Sequence, residues 1–269
     1  MKPLALIALV LAGCADEPAL ARQKTKRELI ASLQRDLLVS MEAEKSAVLA
    51  RTDEESAGFT DAWKRGNAAV EAGRSSLEQL VAIDARPTEQ AALAKFDEAW
   101  SRLTAVDAQL LTLTEANSNL AANRIAETRG ADALNELVDA LREAATKEKG
   151  VARVRTMAEA QVAALRIQVL LPAHIASGDD AEMSTRESHI ESLAAVVDAA
   201  LGSQRAGPAA DAWARYRAAT KEIVALSRRN THVKASELSL HEKRAAMLEA
   251  LNALAALETA VKDVPRATR

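Results

Sequence analysis

The segment Glu98-Ala99-Trp100-Ser101-Arg102-Leu103 returns as Asp211-Ala212-Trp213-Ala214-Arg215-Tyr216, displaced by 113 residues. The correspondence continues at helical spacing. Leu110 matches Ile223, Leu113 matches Leu226, Asn117 matches Asn230, Leu134 matches Met247 and Leu141 matches Leu254. A proline precedes each tryptophan segment, Pro87 and Pro208, where its ring can open a helix in the first turn without losing a needed donor. A repeat of this length is one supersecondary assembly written twice, so two related bodies are expected.

Composition narrows what those bodies are. Apolar residues make up 49% of the chain but aromatic residues only 2%, with 9 glycines and 6 prolines among 269 residues. The dominant residue types are strong helix formers, and no run of β-branched residues alternates with period two. The chain is therefore read as all-α. Helices are expected near 22–51, 53–83, 88–116, 119–148, 151–177, 184–203, 208–229 and 232–262. Leu103, Val106, Leu110, Leu113 and then Asn117 lie along one face, and the repeated face is Tyr216, Ala219, Ile223, Leu226 and Asn230. Thr25, Thr52, Ser184 and Ser239 are each followed three residues on by glutamate, the pattern of a capping box at a helix start. Ser177-Gly178-Asp179-Asp180 reads as a turn. Short connections make neighbours antiparallel, which predicts two tandem up-and-down antiparallel four-helix bundles. Their expected bounds are 22–148 and 149–263, with a tail at 264–269. At Lys147-Glu148-Lys149-Gly150 two readings stay open. Gly150 ends a helix after a basic last turn, or one helix runs through it at a cost of about 1 kcal/mol.

The chain's one cysteine, Cys14, closes an apolar run from Leu4 to Ala12 that follows Lys2. A basic start, a short apolar stretch and small residues at the cut form an export signal, too short to span a bilayer. Leu11-Ala12-Gly13-Cys14 resembles the lipobox of bacterial lipoproteins. That resemblance implies removal of residues 1–13, lipid on the Cys14 thiol and a linker over 14–21. Ala15 after Cys14 favours, by analogy with enteric bacteria, the outer membrane over the inner, with the body facing the periplasm. A net charge of −3 with mixed signs offers no basic stripe for nucleic acid.

Glu42-Ala-Glu-Lys-Ser-Ala-Val-Leu-Ala-Arg-Thr-Asp-Glu-Glu-Ser56 resembles the first hairpin of the periplasmic four-helix-bundle sensor domain of methyl-accepting chemotaxis receptors and sensor histidine kinases. Leu110-Leu-Thr-Leu-Thr-Glu-Ala-Asn-Ser-Asn-Leu-Ala-Ala122 is similar to its third-to-fourth helix junction. Pro172-Ala-His-Ile175, Glu182-Met183 and Leu226-Ser-Arg-Arg-Asn-Thr-His-Val233 are similar to a further copy. The resemblance implies recognition of a small molecule or partner protein outside the cytoplasmic membrane. It also implies a separate membrane receptor or histidine kinase as partner, since no membrane span or transmitter is written in these residues.

Candidate site residues follow from this frame. Asn117 and Asn230, on apolar faces beside turns, form either the polar floor of a ligand pocket or backbone-bonding turn residues. Arg228 and Arg229 hold a carboxylate, or sit at a helix end that favours cations. His174, Met183 and His189 surround one turn and combine donor types that suit copper or haem iron, the alternative being a packing histidine and a core methionine. Trp63, Trp100 and Trp213 fill cores near bundle ends or wall a ligand. No serine-hydrolase, phosphate-loop, zinc-protease or dinucleotide motif is present, and no Glu-x-x-His that a diiron bundle needs. The chain is read as non-catalytic, with no cofactor expected beyond the Cys14 lipid. The leading expectation is a membrane-anchored sensory or binding lipoprotein. A structural or adaptor lipoprotein comes second, and a metal or haem carrier third.

Overall fold

The repeated tryptophan segments lie in helices that each begin at a proline. The computed structural model describes residues 17–202 and 207–263, and every regular element among them is helical. The signal segment 1–13, Cys14 and the tail 264–269 lie outside the described residues. The helices are α1 (Glu17–Leu49), α2 (Asp53–Asp84), α3 (Pro87–Ala116), α4 (Ser118–Ile125), α5 (Ala131–Lys147), α6 (Val151–Ala176), α7 (Asp180–Leu201), α8 (Pro208–Arg229), α9 (Thr231–Leu238) and α10 (Arg244–Lys262). A π turn at Ala126–Gly130 joins α4 to α5, and another at Ser239–Lys243 joins α9 to α10. The expected linker 14–21 is helical from Glu17 onward.

One of the four expected capping boxes starts a helix. The Thr52 hydroxyl accepts from the Glu55 amide at 3.1 Å, and the Glu55 carboxylate accepts from the Arg51 amide at 3.1 Å. The other three lie inside elements. Thr25 and Ser184 donate to the carbonyls of Ala21 and Asp180, four residues back, and Ser239 opens a π turn. Helices that begin earlier leave those hydroxyls only an i−4 carbonyl to bond. The start of α7 is instead capped by Asp179, which accepts from the amides of Ala181 and Glu182. Gly150 is extended (φ −84°, ψ 111°), so the chain breaks between α5 and α6 and no helix runs through.

The described residues divide into two compact units, one of residues 17–115 and 236–263, the other of residues within 116–235. This differs from the expected division at 148/149, because the short Glu148–Gly150 link joins two helices of one unit. The changes of unit fall beside Asn117 and in α9, just after Asn230. Both asparagines are left-handed (φ 32° and 52°), a conformation that asparagine tolerates better than most residues.

In the first unit, Ile30, Leu33 and Leu37 of α1 meet Val70, Leu77 and Val81 of α2. Leu93, Phe96 and Leu103 of α3 and Met247, Leu254 and Leu257 of α10 complete this helical core. In the second, Leu134, Leu137 and Leu141 of α5 pack with Ile167 and Leu171 of α6, Ile190 and Val197 of α7, and Trp213, Tyr216 and Ile223 of α8. Each such buried side chain contributes about 1.5–3 kcal/mol.

Close approach of α1 and α2 depends on Gly66, where an added Cβ would lie 2.9 Å from Ser40 Cβ and 3.1 Å from its Cα. Gly58, on the same helix, has open space around it. Gly58→Ala is expected to stabilise the chain by about 0.5–1 kcal/mol through helix propensity. Gly66→Ala is expected to destabilise it by about 1–3 kcal/mol through overpacking. Urea denaturation of the two variants checks the opposite signs.

Candidate functional site

A buried polar cluster in the second unit brings together two of the candidate residues, His174 and Arg228, through Ser227 and Glu187. His174 is fully buried on α6, with Nδ1 2.8 Å from Ser227 Oγ and Nε2 2.9 Å from Glu187 Oε1. Ser227 Oγ donates to the His174 carbonyl at 3.0 Å, so the His174 Nδ1–H donates to Ser227. Glu187, in turn, is gripped by both arms of Arg228, from Nε at 2.6 Å and from Nη2 at 2.9 Å. Arg228 hydrogen bonding holds the Glu187 carboxyl below its usual range, outweighing partial burial, and His174 adds to the effect. Arg228 also reaches Asp180 and Ser184. The order serine–histidine–carboxylate has the outline of a nucleophilic relay, but Ser227 is wholly buried and its hydrogen points at a carbonyl. Chemically the arrangement is a clamp across α6, α7 and α8.

Asn230 is also internal. Its amide nitrogen donates to the Ser177 carbonyl at 3.1 Å and its oxygen accepts from Asn119 at 3.4 Å. Asn119 donates to the Ile175 carbonyl at 2.6 Å, a link that reading the sequence missed. Ser118 and Thr231 exchange hydrogen bonds, the Ser118 amide to Thr231 Oγ1 at 2.8 Å and the Thr231 amide to Ser118 Oγ at 3.3 Å. Asn117 is half-buried and makes no side-chain cap, while Arg229 is exposed. Met183 is buried and His189 exposed, and no cluster of three or more metal-binding His, Cys, Asp or Glu exists among the described residues. The three tryptophans are buried, and each indole N–H donates to a carboxylate: Trp63 to Asp107, Trp100 to Glu71 and Trp213 to Asp198.

Burial of charge is heavier in the first unit. Lys243, brought inward by its π turn, places Nζ 2.6 Å from Asp107 Oδ1, 3.7 Å from Glu44 Oε2 and 4.5 Å from the centre of the Trp63 ring. The other Asp107 oxygen accepts from Asn67 at 2.7 Å and from Trp63 at 3.2 Å. Glu44 is fully buried, and neither of its oxygens has a well-aligned hydrogen bond. Burial pushes its carboxyl above the usual range, against the pull of Lys243. A second buried lysine, Lys26, lies 2.5 Å from both Asp84 and Glu89. The sequence carries a signal for both lysines. Lys26, Ile30, Leu33, Leu37, Ser40 and Glu44 share the three–four spacing of one inward face, and so do Lys243, Met247, Ala250 and Leu254.

The solvent-facing chemistry lies on the outer side of α6 and α7. Val162, Leu165 and Val169 of α6 and Val196 of α7 are exposed, with Leu170 and Leu193 half-buried beside them. Two adjoining grooves run along this face, and Arg166 and Leu193 line both. Arg166 makes no hydrogen bond or ion pair among the described residues. His189 closes one end of the strip. Comparison of the chain with family models, with curated proteins and with solved structures finds no match.

Because Glu44 holds its proton more tightly folded than unfolded, its contribution to stability is complete below pH 4.5 and is lost as pH rises through the raised value. Glu44→Gln removes that loss. The variant's stability relative to the parent is expected to grow from pH 4.5 to pH 7, measured by urea melts at each pH. A pH-independent difference would contradict the assignment.

Proposed function

We propose that this chain is a non-catalytic lipoprotein of the bacterial cell envelope that docks a protein partner, a membrane receptor or kinase among the expected ones, on the outer face of α6 and α7. The single observation that carries the reading is that α6 is apolar on two sides. Met157, Ala160, Ala164, Ile167 and Leu171 face the core, while Val162, Leu165 and Val169 face water. A helix apolar all round belongs in an interior, and an exposed apolar strip rimmed by charge is the usual mark of an interaction surface. Arg166 within the strip adds a guanidinium able to orient an acidic partner.

Recognition of a small solute has less support. Arg228 and Asn230, the residues suited to hold one, are engaged with Glu187, Asp180, Ser177 and Asn119. The tether is read from the lipobox-like Leu11–Cys14, and the resemblance to sensor domains favours a signalling partner over a purely structural one. In this reading each unit is an up-and-down four-helix bundle that acts as a rigid mount for the outer face, and the Cys14 lipid keeps that mount at the membrane.

A photoreactive amino acid placed at Val169 in living cells is expected to give a discrete crosslinked partner that Val196→Glu abolishes. The same probe at exposed Ser76 is expected to give none. Equal products from the two positions would contradict the docking face. Palmitate labelling that persists in Cys14→Ser would contradict the tether alone.

A further inference from the structure

The duplication reappears in the structure residue by residue. Left-handed Asn117 and Asn230, the π turns at 126–130 and 239–243, and the Ser118–Thr231 pair all repeat at the same displacement. So do two ion pairs, Arg102–Glu249 in the first unit and Arg215–Glu136 in the second. Each joins the third helix of one repeat to the last helix of the other. Helices α1 to α3 are completed by α10, and α6 to α8 by α4 and α5. The two repeats have exchanged their last helices.

We propose that the buried Glu44–Asp107–Lys243 cluster is the selectivity element of this exchange, admitting α10 to the seat made by α1, α2 and α3 and rejecting its homologue α4–α5. The residues equivalent to Lys243 and Asp107 in the other repeat are Gly130 and Thr220. In the first unit the seat offers two buried carboxylates and the entering helix brings the ammonium. In the second the seat offers neutral Thr220 and Ala219, and the entering helix brings Gly130, whose added Cβ would lie 3.9 Å from Ala219. The apolar positions of the two last helices are nearly interchangeable, Leu134 for Met247 and Leu141 for Leu254. The charges are not. The helix bearing Gly130 would leave Glu44 and Asp107 enclosed without a cation. The helix bearing Lys243 would set an ammonium against Thr220. An enclosed, uncompensated charge is among the strongest penalties a fold can meet, and buried polar groups are best attested as devices that fix pairing and register. The links at Asn117 and Asn230 are one residue long, shorter than the two to five residues that close a helix hairpin. They favour exchange but cannot choose which helix fills which seat.

The test uses the full chain with Cys14→Ser and with both links lengthened by Gly-Ser-Gly-Ser, so that either pairing is within reach. Arg102→Cys with Glu249→Cys reports the exchanged pairing by disulfide formation, and Arg102→Cys with Glu136→Cys reports pairing within one repeat. With native charges the exchanged crosslink is expected to dominate by about tenfold or more. In the neutral set Glu44→Gln, Asp107→Asn and Lys243→Met the two crosslinks are expected to approach parity. Thr220→Asp, which makes the second seat acidic, is expected to bring out an Arg215→Cys/Glu249→Cys crosslink. The proposal is overturned if the lengthened chain with native charges pairs within repeats, or if the neutral set keeps the full preference. It is overturned as well if circular dichroism shows that both variants lose their helices, since the cluster would then serve stability rather than choice.

Discussion

An ammonium enclosed in a helical bundle has to be met by a carboxylate, and Lys243 settles the composition of the first unit on that ground. Asp107 meets it at 2.6 Å and Glu44 lies at 3.7 Å, with the Trp63 ring as the third wall. Asn67 and Trp63 hold the far oxygen of Asp107 in place, and Ser40 orients Asn67. The Lys243 contacts form only when the last helix of the chain packs on the first three, whereas the hydrogen bonds among Ser40, Asn67, Trp63 and Asp107 lie within those three. The same scaffold one repeat away carries glycine and threonine at the two key positions and packs without charge there.

The helices themselves were legible because alanine, leucine and charged helix formers recur at three–four spacing, and because Pro87 and Pro208 mark two starts. The partition of helices between units was not. Leu134 and Met247, or Leu141 and Leu254, are such close substitutes that an apolar stripe cannot say which last helix joins which three. The informative residues were charged ones in apolar phase, and these are easily assigned to the surface. Three–four spacing places Val106 and Leu113 on the inward face of α3. The buried positions are Asp107 and Thr114, one residue further on, and the two apolar side chains sit half-buried at the edge. A stripe shifted by one residue hides the charge that determines the pairing.

The candidate sites divide along the same line. Arg228 does hold a carboxylate, but one from its own chain, Glu187. Asn230 bonds across to the end of α6 rather than to its own turn. Spacing along one helix cannot reveal such partners, because His174 and Ser227, or Glu187 and Arg228, are far apart in sequence and meet only through tertiary packing. The outer strip on α6 was legible in principle, since Ala158, Val162, Leu165 and Val169 recur at helical spacing opposite the core residues. A helix with two apolar faces shows no single stripe, however, and periodicity alone passes over it. These features separate two roles. Buried polar networks hold each unit in one arrangement, while the α6–α7 face leaves an apolar strip in contact with water.

Native-state hydrogen exchange on the Lys243→Met variant tests most directly whether α10 belongs energetically with α1 to α3. The account predicts that amide protection falls together in residues 17–115 and 244–262, while residues 131–229 keep the protection of the parent chain. A loss shared by 244–262 and 151–229, with 17–115 unaffected, would contradict it.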